Sequence, residues 1–178
     1  MKLHLGCGNK RLEGFINVDL ISSPAVDLVE DASTLHSIES NSVDLIYASH
    51  ILEHFSRWEH QIVLASWYEV LKPAGILRLA VPDFKQIVAR YLITGELLEL
   101  RGLLYGGQDY ETNYHKCCWD FDTLKSDLEE LQFVDVQRYN WQDTEHASID
   151  DFSQAYLPHM DKANGLLMSL NIECKKPS

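Results

Sequence analysis

Residues 3–20 read LHLGCGNKRLEGFINVDL, and the division of this stretch decides the fold. Leu3-His4-Leu5 is a short apolar run that breaks at Gly6-Cys7-Gly8-Asn9. A second run, Phe15-Ile16-Asn17-Val18, ends at Asp19. Near-continuous apolar runs closed by glycine or an acid suit parallel strands covered on both faces. Between Gly8 and Phe15 the chain has room for little more than a helical turn. Glycines after a first strand permit φ > 0 and let backbone approach a ligand closely.

Further strands follow downstream. Val26-Asp27-Leu28-Val29 ends near Asp31, Val43 to Ala48 leads into Ser49-His50, and Ile76 to Val81 ends at Pro82-Asp83. Helical spacing appears in Leu64, Trp67, Tyr68 and Leu71, stopping at Lys72-Pro73-Ala74-Gly75. It returns in Phe84, Ile87, Val88, Tyr91 and Leu92, and again in Leu124, Leu128 and Leu131 after Asp122 as N-cap. Two late strands are expected, Phe133 to Tyr139 and Leu167 to Cys174. In the second, Met168, Leu170, Ile172 and Cys174 alternate onto one face, the mark of an antiparallel strand joining a mostly parallel sheet. The pattern predicts an α/β doubly wound sheet in a single domain over 1–178. Arg101 to Asp120 and Trp141 to Asn164 carry no clear period. Long irregular segments of this kind are expected to act as lids.

A net charge of −12 disfavours non-specific nucleic-acid binding, which needs a basic surface. No apolar run reaches the length of a membrane span. The four cysteines, Cys7, Cys117, Cys118 and Cys174, form no metal or disulfide spacing. Reduced thiols, no signal peptide and a cytoplasmic location are the expectation. Oligomeric state is not readable.

In open α/β sheets ligands bind beyond the carboxyl ends of the strands. A nicotinamide dinucleotide is disfavoured here: Arg11 stands where the third glycine of G-x-G-x-x-G belongs, and Asp19 follows Gly6 by only 13 residues. Four stretches in order, LHLGCGNKRLEGFINVDL (3–20), VEDASTL (29–35), SVDLIYASHILEHF (42–55) and EVLKPAGILRLAVPD (69–83), resemble the class I S-adenosylmethionine-dependent methyltransferases. The likeness is closest to short members associated with cell-surface polysaccharide synthesis. It implies a seven-stranded Rossmann-like core and S-adenosyl-L-methionine as cofactor. It further implies that the Gly6-Cys7-Gly8 turn underlies the methionine and ribose, and that Asp19, with Leu20 beside it, takes the ribose hydroxyls. Asp31 and Ala32 would meet the adenine, and Ser49 and His50 the methionine. The chain departs from the family at His4, where an acid is usual, at Lys10, where a third glycine is common, and at Ala74 in the proline turn.

His50-Ile51-Leu52-Glu53-His54 also spells H-x-x-E-H, an inverted zinc-peptidase string. That chemistry needs both imidazoles on one stable helix plus a third ligand. Glu129 or Glu130 would have to serve, and a strand running straight into His50 argues against the helix. No metal is therefore expected, and a zinc hydrolase stands behind the other readings. On the acceptor side an oxygen nucleophile gains from a base. His115, in the Tyr- and Gly-rich stretch 105–115, is the first candidate, followed by His54 and Asp83. His146 and His159 lie in the second irregular stretch with Asp150, Asp151 and Tyr156. The expected substrate is a small molecule or saccharide-like acceptor. The rival is a non-catalytic cofactor-binding or assembly module of the same fold.

Overall fold

The computed structural model describes residues 1–178. In chain order the elements are β1 (Lys2–Leu5), β2 (Ile16–Asp19), β3 (Leu28–Val29), β4 (Val43–Ser49), α1 (His60–Val70), β5 (Leu71–Pro82) and α2 (Phe84–Thr94). There follow α3 (Arg101–Tyr105), α4 (Phe121–Glu130), β6 (Val134–Arg138), β7 (Tyr156–Leu157), β8 (Leu166–Leu167) and β9 (Ser169–Lys175). Seven strands form one sheet in the order β3-β2-β1-β4-β5-β9-β6. β1, β2, β3, β4 and β5 pair in parallel, and β9 runs antiparallel to both β5 and β6. This is the mostly parallel sheet with one reversed late strand that the alternation in 168–174 predicts. β7 and β8 make a separate two-stranded ribbon.

The sheet's apolar residues explain its stability. Leu3, Leu5, Val18, Ile46, Leu77 and Leu79 are fully buried and share one cluster with Leu64 and Trp67 of α1 and Leu124 and Leu128 of α4. Each such side chain contributes about 1.5–3 kcal/mol by leaving water. Trp67 is fastened as well, its Nε1–H donating to the Ala32 carbonyl at 2.7 Å. The helix starts are specified locally. Asp83 accepts from the N–H groups of Lys85 and Gln86 at the head of α2, and on α4 the cap is Asp120, in a capping box with Thr123, two residues before the Asp122 expected from the sequence.

Three expectations need correction. The β/α alternation starts only after β4, since the connections β1–β2, β2–β3 and β3–β4 hold no helix. Loops do the covering there, with Leu12 and Phe15 packing on Leu45 and Tyr47. Residues 72–75 are not a free turn: β5 begins at Leu71 and runs through them, with Ala74 at φ 62 and a register shift opposite Val43–Leu45. The stretch 141–164 is a packed cover more than a lid. His146 and Ser153 are fully buried in it, His146 stacks on Tyr47 at 3.7 Å, and the Tyr47 hydroxyl donates to Asp151 Oδ2 at 2.5 Å.

Candidate active site

Because β1 pairs with β2 on one side and β4 on the other, their carboxyl ends lie side by side. The loops leaving them build the site. At the first, Gly6 and Gly8 sit at φ 64 and 56, in the left-handed region that glycine enters freely. A Cβ on Gly6 would lie 2.7 Å from Ile51 Cδ1, so the β1 and β4 loops touch only because that side chain is missing; a Cβ on Gly8 would meet nothing. At the second, the Asp19 carboxylate accepts the N–H of Gly8 at 2.8 Å and of Ile21 at 2.9 Å. It therefore holds the glycine turn and β2 at a fixed separation.

These ends open on a cavity of about 1310 Å³. Gly6, Cys7, Gly8, Asp19, Leu20, Asp31, Ala32, Ser49, His50, His54 and His115 all line it. Lys10 and His159 line it too. Asp83 does not. It is 1% exposed and spends its carboxylate on the α2 cap and on Arg138, 3.3 Å away, so its part is structural and it is withdrawn as a base. His146 lies behind the cavity wall. Burial, then the Arg78 cation, pushes its pKa down to about 4. The Cys7 thiol is pushed up to about 11 by burial and then by the Asp19 charge, which leaves it protonated and inert.

The residues 50–54 adopt no stable helix. His50 has φ 52, and Leu52–His54 is a single 3₁₀ turn. A non-glycine residue in that region is uncommon and strained. Here the strain turns the His50 ring so that Nδ1 lies 3.1 Å from Glu53 Oε1 and Nε2 lies 3.2 Å from Ser169 Oγ. Glu53 is completely buried, and neither of its oxygens receives a well-directed hydrogen bond. Burial alone would push its carboxyl up, but the imidazoles of His50, His115 and His54 hold it below the usual range. The sequence marks Glu53 only as the acid of the zinc-peptidase string, and it was set aside with that reading.

His115 arrives from far along the chain. The N–H groups of Lys116 and Cys117 donate to the Glu53 carbonyl at 2.7 and 3.3 Å, which clamps the 106–117 loop over the turn. His115 Nδ1 lies 2.9 Å from the Leu103 carbonyl, and Nε2 lies 3.8 Å from Glu53 Oε1. Burial lowers the His115 pKa, against the pull of Glu53. His54 meets its edge at 4.9 Å between centroids.

Groups that could receive a nucleoside cofactor are present in the cavity. Ser49 Oγ is buried without a partner, the Ala32 N–H donates to no protein acceptor, and Asp19 faces the same space. The chain's first half also matches a family profile described as a methyltransferase domain, over residues 3–79. Its fold is that of the class I S-adenosylmethionine-dependent methyltransferases. Solved structures share this methyltransferase fold across nearly its full length. A methyltransferase from Archaeoglobus fulgidus superposes with TM-score 0.61 at 20% identity, covering 98% of this chain and 85% of that one. The 1,6-didemethyltoxoflavin-N1-methyltransferase of Burkholderia thailandensis, solved with bound 1,6-didemethyltoxoflavin and S-adenosylhomocysteine, gives 0.62 at 18%, covering 99% and 71%. One from Methanosarcina mazei gives 0.60 at 17%, covering 99% and 92%. No curated protein matches the sequence. The cofactor of this fold is S-adenosyl-L-methionine. No helix is long and apolar enough to cross a membrane.

Proposed function

We propose that residues 1–178 act as one methyltransferase domain, moving a methyl group from S-adenosylmethionine to a small-molecule or saccharide-like acceptor. The observation that carries this is the continuity of the cavity. Its volume, about 1310 Å³, exceeds the roughly 300–1,000 Å³ of a single-ligand pocket, so cofactor and acceptor have room together. One half is lined by the β1, β2 and β4 loops, the other by His54, His115, Tyr110, Phe152 and Tyr156.

In this reading Asp19 takes the ribose hydroxyls on its remaining lone pairs, since a carboxylate has about four acceptor sites and two are used by backbone. Asp31 and the Ala32 N–H receive the adenine. Ser49 and His50 border the methionine, with Gly6, Cys7 and Gly8 beneath it and Leu20 flanking the ribose. The cofactor supplies an activated methyl on a sulfonium. The chain's own residues hold the acceptor in line, exclude water and take up or displace its proton. The imidazoles of His54 and His115 are the basic groups on that side. Tyr110, Phe152 and Tyr156 offer the flat faces on which a sugar or ring packs. The acidic chain and its acid-lined cavity disfavour a nucleic-acid acceptor.

The test is turnover on a panel of sugars and small aromatic hydroxyl compounds, followed by release of S-adenosylhomocysteine. His115→Ala should leave cofactor affinity unchanged and lower turnover by about 10²-fold or more. Full turnover in that variant would remove His115 from the reaction. Cofactor binding without turnover across the panel would favour the non-catalytic module.

A further inference from the structure

The H-x-x-E-H string fails as a helical zinc motif, yet its residues meet others in space. One donor atom from each of Glu53, His54 and His115 lies within 4.8 Å of the other two. We propose that these three side chains bind a divalent first-row transition-metal ion at the acceptor end of the cavity, and that the acceptor's oxygen is bound by that ion. The proposal rests on the methyltransferase reading for the ion's use, but not for its binding.

Four observations carry it. The first is the Glu53 carboxylate, 0% exposed: the His50 and His115 ring nitrogens approach Oε1 at 3.1 and 3.8 Å without a well-directed hydrogen bond, and Oε2 has no hydrogen-bond partner. Such a group costs several kcal/mol unless a charge or donors compensate it. A cation at its oxygens would do so. The second is the way the imidazoles are held. His115 Nδ1 stands 2.9 Å from the Leu103 carbonyl and His54 Nδ1 stands 3.2 Å from the Tyr114 carbonyl. A carbonyl only accepts, so each Nδ1–H is the donor, and in the neutral ring the lone pair is on Nε2. Metal-binding histidines are fixed by a second contact of this kind. The third is spacing. Ligands about 2.0–2.2 Å from one ion lie some 3–4 Å apart, and His115 Nε2 is already 3.8 Å from Glu53 Oε1. The fourth is the backbone clamp from Lys116 and Cys117 to Glu53, which fixes the distant histidine against the turn whether or not an ion is bound.

The donor set narrows the ion. Two imidazoles and one carboxylate suit zinc, cobalt, iron or manganese; magnesium and calcium prefer oxygen throughout. His50, 3.1 Å from the same Glu53 oxygen, steadies the carboxylate from the other side. Three protein ligands leave positions open, and His54 and His115 line the cavity, so those positions can face the acceptor. An acceptor hydroxyl bound there loses its proton to solvent water more readily, so as ligands His54 and His115 act on that proton through the ion instead of taking it up themselves. Its oxygen then forms a bond to the methyl carbon as the carbon–sulfur bond breaks, and the electron pair neutralises the sulfonium.

The experiment uses the intact chain, stripped with a chelator and titrated with Co²⁺ and Zn²⁺, with Mg²⁺ as control. Bound metal per chain and the visible absorption of Co²⁺ are read. About one transition-metal ion per chain is expected, with tetra- or pentacoordinate cobalt bands and no comparable Mg²⁺ binding. Glu53→Gln, close in shape to the parent, and His115→Ala should each weaken binding at least about tenfold, while His36→Ala, on an exposed loop, should not. A stripped wild-type chain that takes up neither ion would overturn the proposal. So would Glu53→Gln and His115→Ala binding as tightly as wild type. S-adenosylhomocysteine binding, measured on the same stripped protein by thermal shift, keeps the two ideas apart. A shift with no metal uptake sinks the ion alone, whereas metal uptake with no shift sinks the methyltransferase reading and leaves the ion site standing.

Discussion

Asp19 serves two partners at once. Its oxygens anchor Gly8 and Ile21 through backbone N–H groups at 2.8 and 2.9 Å, while its free lone pairs face the cavity. Replacing it with alanine removes the proposed acceptor of the ribose and unties the glycine turn together. Hydrogen bonds to a charged group are worth about 1.5–3 kcal/mol, so Asp19→Ala should weaken S-adenosylhomocysteine binding by about 10- to 100-fold, with the fold retained. Asp19→Asn, which keeps one acceptor for the turn, should lose less. Calorimetric titration of the two variants checks both, and an unchanged dissociation constant in the alanine variant would remove the ribose assignment. Of the neighbouring residues, Gly6 matters by what it lacks: the approach of Ile51 Cδ1 leaves no space for a side chain. The departure at His4 is absorbed internally. Its Nδ1 meets Asn17 Oδ1 at 3.0 Å, and burial holds its pKa down.

Among the elements, α2 depends most visibly on a single residue. Asp83 caps it and meets Arg138 across to β6, tying the helix to the sheet's far edge. Asp83→Asn keeps the shape but removes the charge that pairs with Arg138, and should lower stability by about 1–2 kcal/mol in urea unfolding. A variant as stable as its parent would contradict the structural role assigned here. The five parallel strands were legible because each is an apolar run that ends at a glycine, an acid or Ser49, and the reversal of β9 was legible in the alternation of Leu170, Ile172 and Cys174. The missing helices before β4 were only half legible: the short span from Gly8 to Phe15 excluded a long one, but loop packing leaves no period to read. Glu53 was hidden for another reason. Its neighbours come from a segment some sixty residues later, joined to it by backbone bonds that no side-chain pattern encodes. Asp83 misled because a strand-end acid looks the same whether it faces a ligand or caps the next helix.

At the scale of the whole molecule, the cover formed by 141–155 makes stability sensitive to acid. His146 is fully buried against Tyr47, with burial and the Arg78 cation lowering its pKa from the ordinary 6.5 to about 4, Asp151 opposing. Between those two pH values the unfolded chain holds a proton that the folded chain does not. Stability is therefore whole above pH 6.5 and falls as pH drops through the window, by about 2–3 kcal/mol near pH 4.5. His146→Phe, which retains the stack, should lose less stability than wild type between pH 7 and 4.5; equal losses would rule out this histidine as the cause. The sheet order, the turn at Gly6–Gly8 and the cavity beyond it all make one claim, that this molecule is organised around S-adenosylmethionine. Thermal unfolding with S-adenosylmethionine, S-adenosylhomocysteine or NAD tests it most directly. At 100 times its dissociation constant a ligand adds about 2.7 kcal/mol, so the first two should raise the melting temperature by several degrees and NAD should not. No shift with either methionine derivative, or a shift with NAD alone, would contradict the account.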